Sequence, residues 1–187
     1  MKRAFALMAL GLLLAGCGVG AEHSAQVIDP HSVPPGLMAP ASTTTVVPAP
    51  TADVVIYLEG QQHLVVANRA VSAPASARTA LSALAQGVTS AESAQGLVSP
   101  ISTATPISLG SIDGSTAVVD LPSSFANLGG QDQIIAVAQI VYTLSLFPEI
   151  SQVAIRVGGK AAQVPTETGR LSPGPLTRAD YSSLAPL

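Results

Sequence analysis

Two apolar runs separated by a short gap predict a β-hairpin in the first half of the chain. The first run, Val54–Leu58, is stopped by Glu59 and Gly60, and the second, His63–Val71, ends before a proline. Runs of this length that are rich in β-branched residues and bounded by turn residues are typical of strands. The Gly-containing gap is short enough to be a hairpin loop.

The hydrophobic pattern changes from a strand period to a helical one over Ala75–Gln86. The apolar positions with helical spacing are Ala77, Ala80, Leu81, Leu84, Ala85 and Val88. Ser72 or Pro74 is a candidate start for this helix, and Gly87 stands where a left-handed C-cap is expected. The Ser- and Thr-rich stretch that follows, Thr89–Thr105, is predicted to be a loop.

A second hairpin is predicted between Pro106 and Leu121. Its two arms, Pro106–Ile112 and Ser115–Leu121, flank Asp113 and Gly114. Asp-Gly is a favoured pair for a two-residue hairpin turn, because both turn positions need a positive φ.

The longest predicted helix spans Gln131–Phe147, and its apolar residues form two faces. Most of them lie within one broad arc of the helical wheel, whereas Ile135, Tyr142 and Leu146 lie on a second face. The narrow strip predicted to face water consists of Asp132, Ala136, Gln139 and Thr143. A helix that is apolar over most of its circumference is usually buried on two sides. Either a loop or the tail covers the second face, or this face binds a partner or a second copy of the chain.

A final strand, Val153–Val157, completes the order ββαββαβ. We therefore predict an α+β fold in which two helices pack on a mixed β-sheet. The predicted domain spans residues 53–162, and about 110 residues is enough for one core but too few for two domains. A Pro-rich tail, residues 163–187, is predicted to be irregular, and whether it docks on the domain stays open.

The N-terminus has the pattern of a secretory signal peptide over residues 1–16. Two basic residues precede the apolar run Ala4–Leu14, which is too short to span a bilayer as a helix. The run leads into Leu-Ala-Gly-Cys, which ends at Cys17, the only cysteine of the chain. The alternatives are an ordinary signal peptide with a chance cysteine and a short apolar helix of the fold.

The Leu-Ala-Gly-Cys stretch resembles the lipobox of bacterial lipoproteins. This resemblance implies that Cys17 becomes the mature N-terminus and carries fatty acyl chains such as palmitate. Two such chains hold a protein stably on a bilayer. The expected location is the outer face of the bacterial cytoplasmic membrane. Residues 17–52 are rich in Pro, Ser and Thr and are predicted to be a linker, because proline sustains neither a helix nor a central strand.

Composition and motifs exclude several classes of function. The mature chain would carry six basic and eleven acidic residues, which argues against nucleic acid as a partner. No metal or cofactor is predicted, since the single cysteine and three dispersed histidines offer no ligand cluster. No GxSxG, P-loop, HExxH or paired-carboxylate motif is present, so no catalytic residue is predicted. The candidate hydroxyls Ser99, Ser111 and Ser145 have no recognisable base, and His63 is the only histidine of the predicted domain.

Two arginines of the predicted domain, Arg69 and Arg156, are candidates for salt bridges or for an anion site. The sequence favours salt bridges, with Asp120 or Glu149 as partners. Asp120 also lies where a predicted strand meets Pro122 and is expected to have a structural role.

Between Val54 and Ala161 the chain resembles the GerMN domain, a family found in spore-envelope proteins and in envelope lipoproteins of Gram-positive bacteria. The segments that carry the resemblance are Val55–Leu58, Leu64–Arg69, Ala80–Gly87, Ala117–Leu121, Ala138–Leu144, Phe147–Pro148 and Val153–Gly159. The resemblance implies one copy of a domain that acts in envelope protein assemblies. It implies no catalytic residue.

Three functions from different classes follow. The first is a non-enzymatic, lipid-anchored interaction module, held in the membrane through Cys17 and bound to an envelope protein or to a second copy. The second is an extracytoplasmic carrier or sensor of a small ligand, which needs an apolar pocket. The third is a hydrolase, for which the sequence offers no nucleophile and base pair.

Overall fold

The computed structural model describes residues 49–172 and 174–187. The predicted signal peptide, Cys17 and most of the predicted linker lie outside the described residues. In the part of the chain that is described, no helix has both the length and the apolar character needed to cross a membrane.

The first predicted hairpin is confirmed. Its strands are β1, Thr51–Gly60, and β2, His63–Ser72, which pair antiparallel along their whole length. The two-residue turn is formed by Gln61 and Gln62, with φ of 54° and 67°. Gly60 belongs to the strand instead of the turn, since it pairs with His63, and a Cβ at this position would lie 2.7 Å from the Leu97 side chain.

The first predicted helix is also confirmed, as α1, Ala77–Ala85. Ser76, and neither of the two predicted residues, is its N-cap, with a side chain that accepts from the Thr79 N–H. Gly87 has the predicted left-handed conformation, with φ of 74°.

The loop predicted at 89–105 contains a short helix, α2, Ser90–Ala94. Its start is a capping box, in which the Thr89 side chain accepts from the Glu92 N–H and the Glu92 carboxylate accepts from the Thr89 N–H. The Thr-x-x-Glu spacing was visible in the sequence and is the signal that predicts a helix start. The loop prediction is therefore wrong for these residues.

The second hairpin is confirmed and consists of β3, Ser108–Asp113, and β4, Thr116–Leu121. Its turn was predicted one position too early: Asp113 pairs with Thr116 at the end of β3, so the turn residues are Gly114, with φ of 61°, and Ser115. β4 pairs parallel with β5, Gln152–Val157, and β5 pairs antiparallel with the short β6, Lys160–Ala161. The resulting four-stranded sheet, β3-β4-β5-β6, is mixed, as predicted.

The chain between the parallel strands β4 and β5 contains the longest helix. A 3-10 helix, Ser123–Asn127, comes first, and α3, Gly130–Leu144, follows. α3 contributes ten buried residues, more than α1, so it is the main helix of the core.

The described residues of the tail pack on the domain. It forms the two-stranded pair β7, Val164–Pro165, and β8, Leu171–Ser172, and then a 3-10 segment, Arg178–Leu184. Leu176 pairs with Val153 of β5 in an isolated bridge. Leu176, Tyr181 and Leu184 are all buried, which answers the question that the sequence left open.

The predicted α+β class is confirmed, with the core order ββαββαβ supplemented by α2 and the tail. The strands divide among three sheets: the mixed sheet, the separate β1–β2 pair and the β7–β8 pair. The first hairpin is consequently a separate two-stranded sheet, in which both strands are edge strands.

Candidate interaction surface

The strip of α3 that was predicted to face water is buried at three of its four positions. Ala136, Gln139 and Thr143 are each 1% exposed or less, so the prediction is wrong for them. The Gln139 amide accepts from the Ser99 hydroxyl at 2.8 Å and donates to the Val98 carbonyl at 3.4 Å. Polar side chains enter the core here because the chain beside α3 supplies their partners.

Tyr142 is covered by the tail, so it does not lie on an exposed face. Its hydroxyl lies 3.4 Å from the Tyr181 carbonyl, to which it donates, and the Arg178 guanidinium sits 5.2 Å from its ring centre. Arg178 also donates to the Tyr142 carbonyl at 3.2 Å, near the C-terminal end of α3 where helix carbonyls lack partners. Burial raises the pKa of Tyr142, although the Arg178 charge opposes this. At this position the tail covers the second face, the first of the two alternatives above.

Tyr181 anchors the tail against the domain. It is fully buried, and its hydroxyl donates to the Pro165 carbonyl at 2.8 Å. Burial, and to a smaller extent the Asp180 charge, raises the pKa of Tyr181 well above its usual range. The hydroxyl therefore stays protonated and remains a donor.

Ile135 and Leu146, the other two residues of the second face, remain accessible. Ile135 is half-buried and borders a groove of about 470 Å³ between the turn of the first hairpin, α3 and the tail. Leu146, just beyond α3, is 39% exposed. The second face is thus covered in the middle by the tail and left open at Ile135 and Leu146.

The candidate catalytic groups are occupied by structural contacts. The hydroxyls of Ser99 and Ser145 donate to Gln139 and to the Val141 carbonyl, and that of Ser111 donates to Asp113. His63 pairs through Nδ1 with the Ala185 carbonyl at 3.2 Å. Among the described residues, no group of three or more His, Cys, Asp or Glu side chains could hold a metal ion.

One of the two predicted salt bridges has the expected partner. Arg156 Nε lies 3.3 Å from Asp120 Oδ1, across the parallel pair β4–β5. Arg69 pairs with Glu92, and not with Asp120 or Glu149, so its predicted partner was wrong. Its Nη2 lies 2.6 Å from Glu92 Oε2 and also donates to the Gly87 carbonyl at 3.2 Å. This contact ties β2 to α2, a helix that the prediction lacked.

The exposed edge of β2 is the feature that the sequence did not single out. Val65 and Val66 are 37% and 49% exposed. Val65 and Val66 line a groove of about 530 Å³ with the turn of the first hairpin, the loop after α2 and the end of the tail. A second groove of about 300 Å³ lies between the C-terminal end of β2 and α1. The sequence did contain a signal for this exposed apolar surface, namely two consecutive valines. Successive side chains of a strand point to opposite faces, so a strand that buries only one face must expose one of the two.

The chain was compared with known proteins. The family model described as Germane, sporulation and spore germination, matches residues 54–163. None of the curated proteins matches the chain.

Among solved structures, the tandem GerMN domains of the sporulation protein GerM from Bacillus subtilis match at 23% identity and a TM-score of 0.55. This match covers 70% of the chain and 48% of the tandem protein, so the chain spans about half the length of that relative. The first GerMN domain of the same protein matches at 23% identity and a TM-score of 0.52, covering 69% of the chain and 99% of the domain. These similarities establish a shared fold, and the family match covers more than half of the chain. The chain therefore belongs to the Germane family and carries a GerMN domain.

Proposed function

We propose that this chain is a lipid-anchored protein of the cell envelope whose GerMN domain acts, without enzymatic activity, as a protein-interaction module. The observation that carries the interaction role is that the folded domain leaves apolar side chains exposed, at Val66, Val98 and Leu146, and that Val66 lines a groove together with Val65. Isolated exposed apolar residues are common, but grooves bordered by several of them are typical of binding surfaces.

The anchor is inferred from the N-terminal sequence. Cys17 follows a short apolar run and two small residues, the pattern of a lipidated signal peptide. A lipid at this position and a linker that ends before β1 at Thr51 would hold the domain at the outer face of the cytoplasmic membrane, within reach of other envelope proteins. The test is fractionation of cells that express the full-length chain, with incorporation of labelled palmitate. Cys17→Ser should abolish labelling and release the protein from membranes, whereas a labelled or membrane-bound variant contradicts the anchor.

The absence of catalysis is supported by the contacts of the candidate groups. Each of the three candidate serines hydrogen-bonds to a group other than His63, and His63 faces the backbone of the tail. A nucleophile needs a base within hydrogen-bond reach.

The interaction role is tested by a charged residue on the accessible part of the second face. Leu146→Glu should abolish co-purification of the partner and leave the melting temperature unchanged. Ile112→Glu is the matched control, because Ile112 is also 39% exposed but belongs to β3 and is not one of the residues of the second face. Tyr142→Glu is expected to unfold the domain instead, since Tyr142 is buried under the tail. Equal loss of the complex in both exposed variants would contradict the role of Leu146.

A second candidate function, binding of a small ligand, is favoured by one observation. The groove beside Val65 and Val66 has a volume of about 530 Å³, within the range of small-molecule sites. Native mass spectrometry of protein purified from its own membranes tests this candidate. A retained small molecule supports it, and a mass that corresponds to the lipidated polypeptide alone contradicts it.

A further inference from the structure

We propose that the outer edge of β2 binds one extended, uncharged peptide segment of a protein partner by strand addition. The inference rests on the proposed function, because it names the surface and the chemistry of the partner. Its support comes from the hydrogen-bond register of the first hairpin and from the grooves beside β2.

The register identifies which backbone groups of β2 point away from β1. In an antiparallel pair, opposite residues alternate between those that bond to each other and those whose N–H and C=O groups point outward. On β1, Glu59 bonds outward to Val98, at 3.0 and 2.8 Å, and the Tyr57 N–H bonds outward to Thr143. Their partners across the ladder, Leu64 and Val66, therefore belong to outward-pointing pairs.

The same alternation continues along β2. The outward-pointing residues beyond Leu64 are Val66, Asn68, Ala70 and Ser72, and all four are exposed. In the described part of the chain, no backbone group outside the β1–β2 ladder bonds to any of them. The one side-chain contact is the Arg69 guanidinium, 3.4 Å from the Asn68 carbonyl. β1 thus has its outer edge partly closed by Val98 and Thr143, whereas β2 presents an open ladder.

An open strand edge is normally protected by lysines, prolines or bulges. β2 has none of these over its ten residues. Its single formal charge, Arg69, is turned to Glu92. When a peptide adds a strand to such an edge, the backbone groups of both chains form hydrogen bonds, and adjacent pockets bind the side chains of the peptide.

The two grooves beside β2 define the side chains that the occupant brings. One is lined by Val65, Val66 and the loop Gln95–Leu97, and the other by the C-terminal end of β2 and by α1. His63 is the only ionisable side chain among the described residues that line them, and it is held by the Ala185 carbonyl. An uncharged segment is therefore complementary, because a charged one would lose hydration without gaining a partner.

The size of the grooves favours a single segment over a second copy of this chain. α1 and the Gln95–Leu97 loop line the grooves together with β2, and grooves of about 300 and 530 Å³ hold a few side chains and not a folded domain. The β2 strand of a second copy would bring its own β1, α1 and loop with it.

The first test uses a defined probe, an end-blocked pentapeptide of alternating valine and threonine, added to the isotope-labelled full-length chain. Amide exchange at Val66, Asn68 and Ala70 should slow by about tenfold or more, while that of Val65 and Ala67 should change little, because these already bond to β1. The same peptide N-methylated at alternate residues should give no protection. Absence of protection at the three outward amides, or equal protection by both peptides, overturns the proposal.

Two variants at Asn68 test the contribution of its outward-pointing backbone N–H. Asn68→Pro removes an outward N–H without removing a β1–β2 bond, and should weaken peptide binding by about tenfold. Asn68→Ala keeps the N–H and should bind within about twofold of the wild type. The N-methylated peptide provides the same contrast without a variant if Asn68→Pro fails to fold.

Cross-linking in cells separates this proposal from the proposed function. A photo-crosslinker at Asn68 of the full-length chain should join it to a segment of another protein, and a synthetic peptide of that segment should protect the same three amides. Adducts with residues 18–48 of the same chain, or with a second copy, overturn the proposal. A partner that co-purifies without an adduct at Asn68 overturns strand addition and leaves the interaction role intact. Absence of any partner removes both.

Discussion

The main-chain N–H of Tyr57 donates to the side-chain hydroxyl of Thr143 at 3.1 Å, in the buried contact between β1 and α3. The Thr143 hydroxyl accepts the hydrogen bond that, in a larger sheet, the carbonyl of a neighbouring strand would accept. The two aromatic rings beside this bond, Tyr57 and Tyr142, meet edge to face with centres 5.6 Å apart. α3 therefore closes one edge of the first hairpin with a specific bond as well as with apolar packing.

Removal of the Thr143 hydroxyl should destabilise the domain. Thr143→Val keeps the shape of the side chain but leaves the Tyr57 N–H buried without an acceptor, which costs about 1–3 kcal/mol. Urea unfolding measures the change. Thr103→Val is the control, because Thr103 is exposed, and it should stay within about 0.5 kcal/mol of the wild type. Equal effects of the two variants would show that the bond contributes nothing.

Acid should weaken the domain through Glu92. The hydrogen bond from Arg69, with further bonds from Thr89, holds the pKa of Glu92 at about 2, below its usual 4.5. A lowered folded-state pKa means that the carboxylate stabilises the fold above about pH 4.5, and that this contribution is lost as the pH falls from there towards about 2. Glu92→Gln should lower the free energy of unfolding by about 2 kcal/mol at pH 7 and by little at pH 2. Glu149→Gln, at an exposed position, is the control. A Glu92→Gln deficit that does not shrink in acid contradicts the assignment.

The tail should loosen when its anchor is weakened. Tyr181→Phe leaves the buried Pro165 carbonyl without its donor, at a cost of about 1 kcal/mol. Opening of the tail should rise by about fivefold, measured as the rate of tryptic cleavage after Arg178. Tyr57→Phe is the control, because it also removes the hydroxyl of a buried tyrosine but leaves the bond from Tyr181 to Pro165 in place, and it should leave the cleavage rate unchanged. A Tyr181→Phe rate equal to that of the wild type would show that the tail does not depend on this bond.

Substitutions in the turn of the first hairpin should stabilise the domain. Gln61 and Gln62 have φ of 54° and 67°, a region that side chains larger than Asn or Gly adopt at a cost. The double change Gln61→Asn and Gln62→Gly should therefore raise the free energy of unfolding by about 1 kcal/mol. The control places the same two residue types outside a turn. Ser111→Asn with Ile112→Gly changes two residues of β3 and should not raise the free energy of unfolding. A loss of stability in the turn variant would show that the glutamine side chains make contacts that outweigh the strain.

The elements that could be predicted from the sequence are those in which one local signal agrees with the tertiary packing. Gly114 marks a turn whatever surrounds it, although the turn residues are Gly114 and Ser115, one position after the predicted Asp113–Gly114 pair, and Gly87 marks a helix end. The water-facing strip of α3 could not be predicted in this way. Gln139 and Thr143 are polar, but their partners, Ser99 and Tyr57, lie 40 and 86 residues away in the sequence. Periodicity carries no information on partners at that distance.

The candidate surface was predictable only in part, for the same reason. A wheel places Ile135, Tyr142 and Leu146 on one face, but only the fold shows that the tail covers Tyr142 and leaves the ends open. The open edge of β2 follows from the division of the strands into separate sheets, which no local pattern in β2 specifies.

Site-specific photo-cross-linking in cells tests the interaction role most directly. Lys160 is the only lysine beyond the predicted signal peptide, so amine-reactive reagents would report on little of the surface. The full-length chain with a photo-crosslinker at Leu146 or at Asn68, and at Ile112 as control, should give one dominant adduct with an envelope protein from the first two positions and none from the third. A membrane-bound monomer without adducts from any position would contradict the account and turn attention to the groove beside Val65 and Val66 as a ligand site.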